Sequence, residues 1–250
     1  MVDMINVAVL GASGRMGSTV VAAVNAAEDM TVVAALDEGD DIAAAAQAKS
    51  HVAVDFTVPE STEANVHALI DAGIHAVVGT SGWTTDALSR VEEHLTERPD
   101  LGVLIAPNFA LGAVLAMRMS AAAAKYFESV EVIELHHPDK VDAPSGTAHH
   151  TAAGISAARV SAGIGPSPDA TQDHSAGARG ADVDGVRVHS VRLRGLVAHQ
   201  EILMGNPGEQ FSIRHDSFDR ISFMPGVLLG VREVANRPGL TVGLDQYMEL

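Results

Sequence analysis

The richest chemistry in this chain lies in one short run, HHPDKVDAPSGT, from His136 to Thr147. Histidine and lysine are the side chains most easily set to give or take a proton at neutral pH. Lys140 is one of only three lysines, with Lys49 and Lys125, so its default reading as a solubilising charge is weakened. The tail of the run, Pro-Ser-Gly-Thr, stands before a helical stretch. There the free N–H groups of a helix start, with the Ser145 and Thr147 hydroxyls beside them, suit an anion such as a carboxylate. Proton transfer next to an anion grip is the chemistry these types and spacings allow. Paired histidines alone do not carry that reading: His149-His150, inside the same helical stretch, are read as structural or solvent-facing.

A second motif is GASGRMG, residues 11–17. It follows an apolar strand-like run and opens a helix, the setting in which such glycines bind a dinucleotide. Gly11 allows a tight turn, Gly14 lets backbone N–H groups approach a pyrophosphate, and Gly17 allows close helix–strand packing. The first spacing departs from the commoner GxGxxG. Asp37 ends the next strand-like run, about 20 residues after Gly17, where a carboxylate can accept from an adenosine ribose hydroxyl. That favours NADH over NADPH, because a 2′-phosphate would meet Asp37, Glu38, Asp40 and Asp41. Arg15 is the one nearby cation, and use of NADPH stays open. Two loops of small residues, GTSGW (79–83) and APNFA (106–110), follow later strand-like runs, and Asn108 offers both donor and acceptor.

The elements that must position these residues fall into two patterns. Apolar runs at 5–10, 31–37, 51–57, 74–80 and 101–108 alternate with helical segments such as PESTEANVHALIDAG and TTDALSRVEEHLTERP. This predicts right-handed βαβ crossovers and a Rossmann-like parallel sheet covered on both faces. After residue 108 the pattern changes to a helix over 111–125, a strand over 129–137 and a helix from about Ser145 to Arg159. A loop over 161–185 and three consecutive strands follow, the last being EQFSIRHDS. The expectation is an α/β chain of two domains. Residues 1–108, with 217–250 packed back on them, form a dinucleotide-binding domain; residues 109–216 form an α+β substrate and oligomerisation domain with an open mixed sheet. The last helix, over 218–236, should kink at Pro225-Gly226.

Composition narrows the classes further. Hydrophobic residues are 47% and charged residues 19%, a globular profile. The formal charge of −16 argues against nucleic acid and anionic membranes as partners. Without cysteine there are no disulfides, no thiolate zinc site and no cysteine nucleophile, and no metal site is expected. The start of the chain has no basic leader and no apolar run approaches the roughly 20 residues of a membrane span, so a cytoplasmic protein is expected.

Together, HHPDKVDAPSGTA, GASGRMG, DFT (55–57), GTSG (79–82), APNFA, HSVRLRGLVAHQE (189–201) and IRHDSFDRISFMPG (213–226) resemble the 4-hydroxy-tetrahydrodipicolinate reductase (dihydrodipicolinate reductase) family over the whole chain. The resemblance implies an NAD(P)H-dependent oxidoreductase of lysine and diaminopimelate biosynthesis. Its substrate would be 4-hydroxy-tetrahydrodipicolinate, which loses water and takes a hydride at C4 to give tetrahydrodipicolinate. It also implies a homotetramer. By the same resemblance His136 donates or accepts a proton and Lys140 donates one. His137 binds the dicarboxylate substrate, and Gly146 and Thr147 grip a carboxylate, with Ser145 beside them. The cofactor would be lined by Gly11, Ala12, Ser13, Gly14, Arg15 and Met16, by Gly79, Thr80 and Ser81, and by Ala106, Pro107, Asn108 and Phe109. For Arg214 the sequence leaves a substrate contact and an ion pair equally open.

Three rival readings meet the same residues. An aldehyde-type dehydrogenase with thioester chemistry needs a cysteine. A dead dinucleotide sensor would have lost the acid–base residues. A dehydrogenase for another small imine or keto dicarboxylate is the hardest to separate by sequence, because pocket shape decides it.

Overall fold

A computed structural model describes residues 4–248 of the chain. The first three residues of the stretch read for a leader lie outside the described residues. The chain divides into two compact units, Met1–Ala110 with Arg220–Leu250, and Leu111–Asp219.

The first unit holds β1 (Ile5–Leu10), α1 (Arg15–Ala26), β2 (Met30–Leu36), α2 (Ala43–Gln47), β3 (Val52–Asp55), α3 (Pro59–Asp71), β4 (His75–Val78), α4 (Thr85–Leu95) and β5 (Gly102–Ile105). All pairings in its sheet are parallel, so each strand must return through a crossover. β3 and β5 are buried at every position, which is why they read as unbroken apolar runs rather than alternating ones. α3 starts on Pro59, and the Thr84 hydroxyl caps α4 by accepting from the Ala87 N–H.

The second unit holds α5 (Leu111–Ala124), β6 (Ser129–His136), α6 (Gly146–Ser161), β7 (Ala181–Val183), β8 (Val186–Arg192), β9 (Ala198–Asn206) and β10 (Glu209–Ser217). The sheet order is β10-β9-β6-β8-β7; β6 and β8 run parallel, and the other neighbours antiparallel. The mixed open sheet expected from the sequence is therefore present. α5 and α6 pack on one face through Ala116, Ala152 and Ile155 against Val132, Val188 and Ile202. Alternation along β6 buries Val130, Val132 and Glu134 on that same face. At the end of α6, the buried Arg159 donates to the carbonyls of Ala124, Phe127, Glu128 and Gly165. Such a buried cation is tolerated because its donors are met.

Two readings need correction, and one further strand is found. The stretch 161–185 is not all loop, since β7 forms within it and pairs with β8. Pro225 does not kink a long helix: it sits in the first turn of α7 (Met224–Glu233), after a 3-10 turn over Arg220–Phe223, where its missing N–H costs nothing. Beyond it lies β11 (Gly239–Val242), which pairs with β5 and makes the first sheet six-stranded, in order β11-β5-β4-β3-β1-β2.

Candidate active site

In the first unit a cleft of about 880 Å³ opens at the carboxyl ends of the strands. Gly11, Gly14, Arg15 and Met16 line one side, Asp37, Glu38 and Asp40 another, and Gly79, Thr80 and Ser81 a third. The glycines are there because nothing larger fits. Gly11 has φ of 73°, and a Cβ on it would lie 2.6 Å from the Phe56 carbonyl oxygen. A Cβ on Gly17 would fall 1.9 Å from the Gly11 carbonyl oxygen, and one on Gly79 would fall 2.0 Å from the Phe56 ring. Gly14 caps α1 with no side-chain bond, so the first-turn N–H groups remain for a ligand. This cradle fits a dinucleotide: a tight glycine turn, a free helix start for a pyrophosphate, and a carboxylate at the end of β2.

That carboxylate is partly engaged already. Asp37 Oδ1 accepts from the Ser13 N–H at 3.0 Å, and the Asp37 N–H donates to Asp40 at 2.8 Å. The bonds fix the turn and leave Asp37 Oδ2 for a ribose hydroxyl. Below the cleft, the wholly buried Asp55 accepts from the Thr57 N–H and hydroxyl, the Thr80 hydroxyl and the Asn65 amide, at 2.7–3.0 Å. One carboxylate thus ties the loop after β3 to the loop after β4. Ala12 is buried beneath the glycine turn, with its N–H on the Leu36 carbonyl, and it does not line the cleft. Ala106, Pro107, Asn108 and Phe109 are also absent from the lining. Ala106 and Phe109 are buried, Phe109 against the Phe56 ring, and Asn108 accepts from the Ala110 N–H.

In the second unit the opening run gathers around another buried carboxylate. Glu134, fully buried on β6, faces His136 Nδ1 at the strand's end in a very short contact. Both Glu134 oxygens accept from the Arg192 guanidinium at 2.8 Å, and Oε1 also accepts from the Ser145 N–H at 3.2 Å. Arg192 further donates to the Asp142 carbonyl at 2.7 Å. Lys140 lies in an ion pair with Asp142 at 2.7 Å, and the other Asp142 oxygen accepts from the Gly146 N–H. Ser145 is buried as the cap of α6, accepting from the Ala148 N–H. Gly146 and Thr147 start the helix beyond it; Gly146 and His137 are exposed.

The charges follow from this packing. Burial pushes the His136 imidazolium below its ordinary range; Glu134 opposes that shift, while the Lys140 and Arg192 charges add to it. Burial would raise the Glu134 carboxyl, but the bonds from Arg192, Ser190 and His136 outweigh it and hold the acid below its usual range. Lys140, by its hydrogen bond, lowers Asp142. His149 and His150 are exposed on α6. Arg214 forms ion pairs with Asp216 at 3.0 Å and Glu201 at 2.9 Å. Sequence reasoning missed Glu134, Arg192 and Asp55. For Glu134 the signal was present: a carboxylate on the apolar side of an alternating strand.

A parallel sheet with a glycine-turn cleft at its carboxyl edge defines an α/β dinucleotide-binding protein, here carrying a second mixed-sheet unit. Two family profiles divide the chain in the same way. "Dihydrodipicolinate reductase, N-terminus" matches residues 5–109 and "Dihydrodipicolinate reductase, C-terminus" matches residues 112–248. The 4-hydroxy-tetrahydrodipicolinate reductase of Beutenbergia cavernae is 67% identical over 246 residues, 98% of this chain and 99% of the relative. That of Nocardia farcinica is 59% identical over the same shares. A dipicolinate-bound dihydrodipicolinate reductase from Paenisporosarcina sp. TG-14 superimposes with a TM-score of 0.88 at 37% identity, covering 98% of this chain and all of the other. The chain belongs to the dihydrodipicolinate reductase family. Among the described residues no helix is long and apolar enough to cross a membrane.

Proposed function

We propose that the chain reduces 4-hydroxy-tetrahydrodipicolinate, with loss of water, to tetrahydrodipicolinate in lysine and diaminopimelate biosynthesis. The observation that carries this is the constellation in the second unit: His136 backed by Glu134, Lys140 held by Asp142, and the exposed start of α6 at Gly146. When bound, a reduced nicotinamide cofactor supplies the hydride. Conjugate addition at C4 leaves an enamine-like anion, and Lys140 gives it the proton it needs, with His136 donating or accepting alongside. The N–H groups of Gly146, exchanging Asp142 for the ligand, and of Thr147, at the helix start, grip a substrate carboxylate, with Ser145 holding their turn and His137 binding the substrate. The dipicolinate carried by the Paenisporosarcina relative supports a dicarboxylate ligand.

In the first unit Gly11, Ser13, Gly14, Arg15 and Met16 cradle the pyrophosphate and Gly79 to Ser81 the far side of the cofactor, while Ala12 and Ala106 to Phe109 shape the fold around it. NADH is preferred over NADPH. Three carboxylates line the cleft at the end of β2 against one cation, Arg15, so a 2′-phosphate meets net negative charge. A homotetramer is supported by the face of the second sheet opposite α5 and α6, where Ile133 and Leu203 remain partly exposed. The assay is direct. Purified protein given NADH should lose nicotinamide absorbance when the dihydrodipicolinate synthase product is supplied, and not otherwise; absorbance that stays constant with that product rejects the reaction.

A further inference from the structure

Glu134 is a costly residue at its position. It lies fully buried on the core side of β6, in line with Val130 and Val132, where an apolar side chain would pack without any partner. A buried ion pair of this kind is poor support for stability, since hydrophobic replacements often do as well. Its second oxygen, however, reaches a histidine that the reaction uses. We propose that Glu134 is a positioning residue, which accepts the Nδ1 proton of His136 and so fixes Nε2 as the nitrogen offered for proton transfer, with Arg192 holding Glu134 in place.

The geometry supports each part. An ionised carboxylate only accepts, so a hydrogen bond between it and Nδ1 requires the proton on Nδ1. The Arg192 guanidinium meets both Glu134 oxygens, which leaves the carboxylate little freedom to rotate. Oε1 also holds the Ser145 N–H, so ring orientation is coupled to the start of α6. Arg192 reaches the Asp142 carbonyl as well, and Asp142 carries Lys140. The charged groups facing His136 are therefore Glu134 on its own strand, Arg192 from β8 and Lys140 from the following loop. The proposal rests on His136 as a proton-handling group.

The test reads the ring directly. ¹⁵N spectra of the wild-type protein near pH 7.5, with His136 assigned by comparison with His136→Asn, should show the Nδ1–H tautomer. An Nε2–H ring would overturn the proposal. Glu134→Gln should move His136 away from that tautomer, shift the acid limb of kcat to lower pH and cut kcat on the order of 100-fold. Its NADH dissociation constant should stay unchanged, and Glu134→Asp should recover part of the loss. A Glu134→Gln enzyme with wild-type kcat would overturn the proposal, and if that variant does not fold, the wild-type tautomer decides alone. Turnover with an Nε2–H ring rejects the positioning role and keeps the reaction. An Nδ1–H ring without turnover supports the positioning and rejects the reaction.

Discussion

In the first unit the groups offered to a ligand are mostly main-chain ones: a glycine turn, a helix start with no side-chain cap, and loops of small residues. In the second unit they are titratable or charged side chains, His136, Lys140 and Arg192, held by Glu134 and Asp142. The two tolerate different changes. A backbone cradle is indifferent to most side chains yet cannot accept one added carbon where chains touch. A charged network accepts added bulk at its open edge and fails when one charge is removed, because each partner left behind is desolvated and unpaired.

The largest contrast comes from one substitution made twice. Gly17→Ala puts a Cβ against backbone atoms of Gly11 and Ala12, which must shift. It should cost about 1–3 kcal/mol of stability and weaken NADH binding by at least roughly tenfold. Gly146→Ala meets nothing within 4 Å, and its melting temperature should match the wild type. Calorimetry and NADH titration of both variants check this; equal melting temperatures would erase the contrast. Lys140→Ala should lower kcat by about 100-fold, as for loss of a general acid, with NADH affinity intact in fluorescence titration. Wild-type turnover would make Lys140 a bystander. Asp37→Ala should weaken NADH several-fold, about 1 kcal/mol for a lost ribose hydrogen bond, and NADPH less. Equal losses would place the ribose elsewhere.

Acid should separate the units more gently. Burial lowers His136 and His215 in the second unit and His75 in the first. A histidine held neutral contributes stability that is present above its ordinary value of about 6.5 and lost as pH falls below it. Glu134 and Asp216 are also held below the usual carboxylate range, Asp216 first of all by its bond from Arg214. Their contribution is lost below about pH 4. Hydrogen exchange from pH 7 down to about pH 3 should therefore show the strands of the second unit losing protection first. Earlier loss in the first sheet would reverse the comparison.

The same contrast explains what could be read without coordinates. The parallel strands were legible because burial on both faces writes itself as continuous Val, Ala and Ile, and GASGRMG is local. β11 was not: its four residues pair with β5, more than 130 positions away, and have no period of their own. β7 escaped because three residues are too few to show a period, although its partner β8 follows it directly. Pro225 is compatible with a kink or a helix start, and only the preceding 3-10 turn decides. In the charged site the residues offered to solvent, such as Lys140, were visible by type and spacing. Arg192 and Asp55 were hidden because their meaning depends on burial and on partners as far as 58 positions away, while for Glu134 the strand alternation was legible and only its partners were not.

The central claim is a hydride delivered to C4 of a dicarboxylate. The most direct measurement runs the reaction with NADH deuterated at the transferred position of its nicotinamide ring and examines the product by mass spectrometry and NMR. One deuterium at C4 of tetrahydrodipicolinate is the predicted result; a product without deuterium at C4 would contradict it.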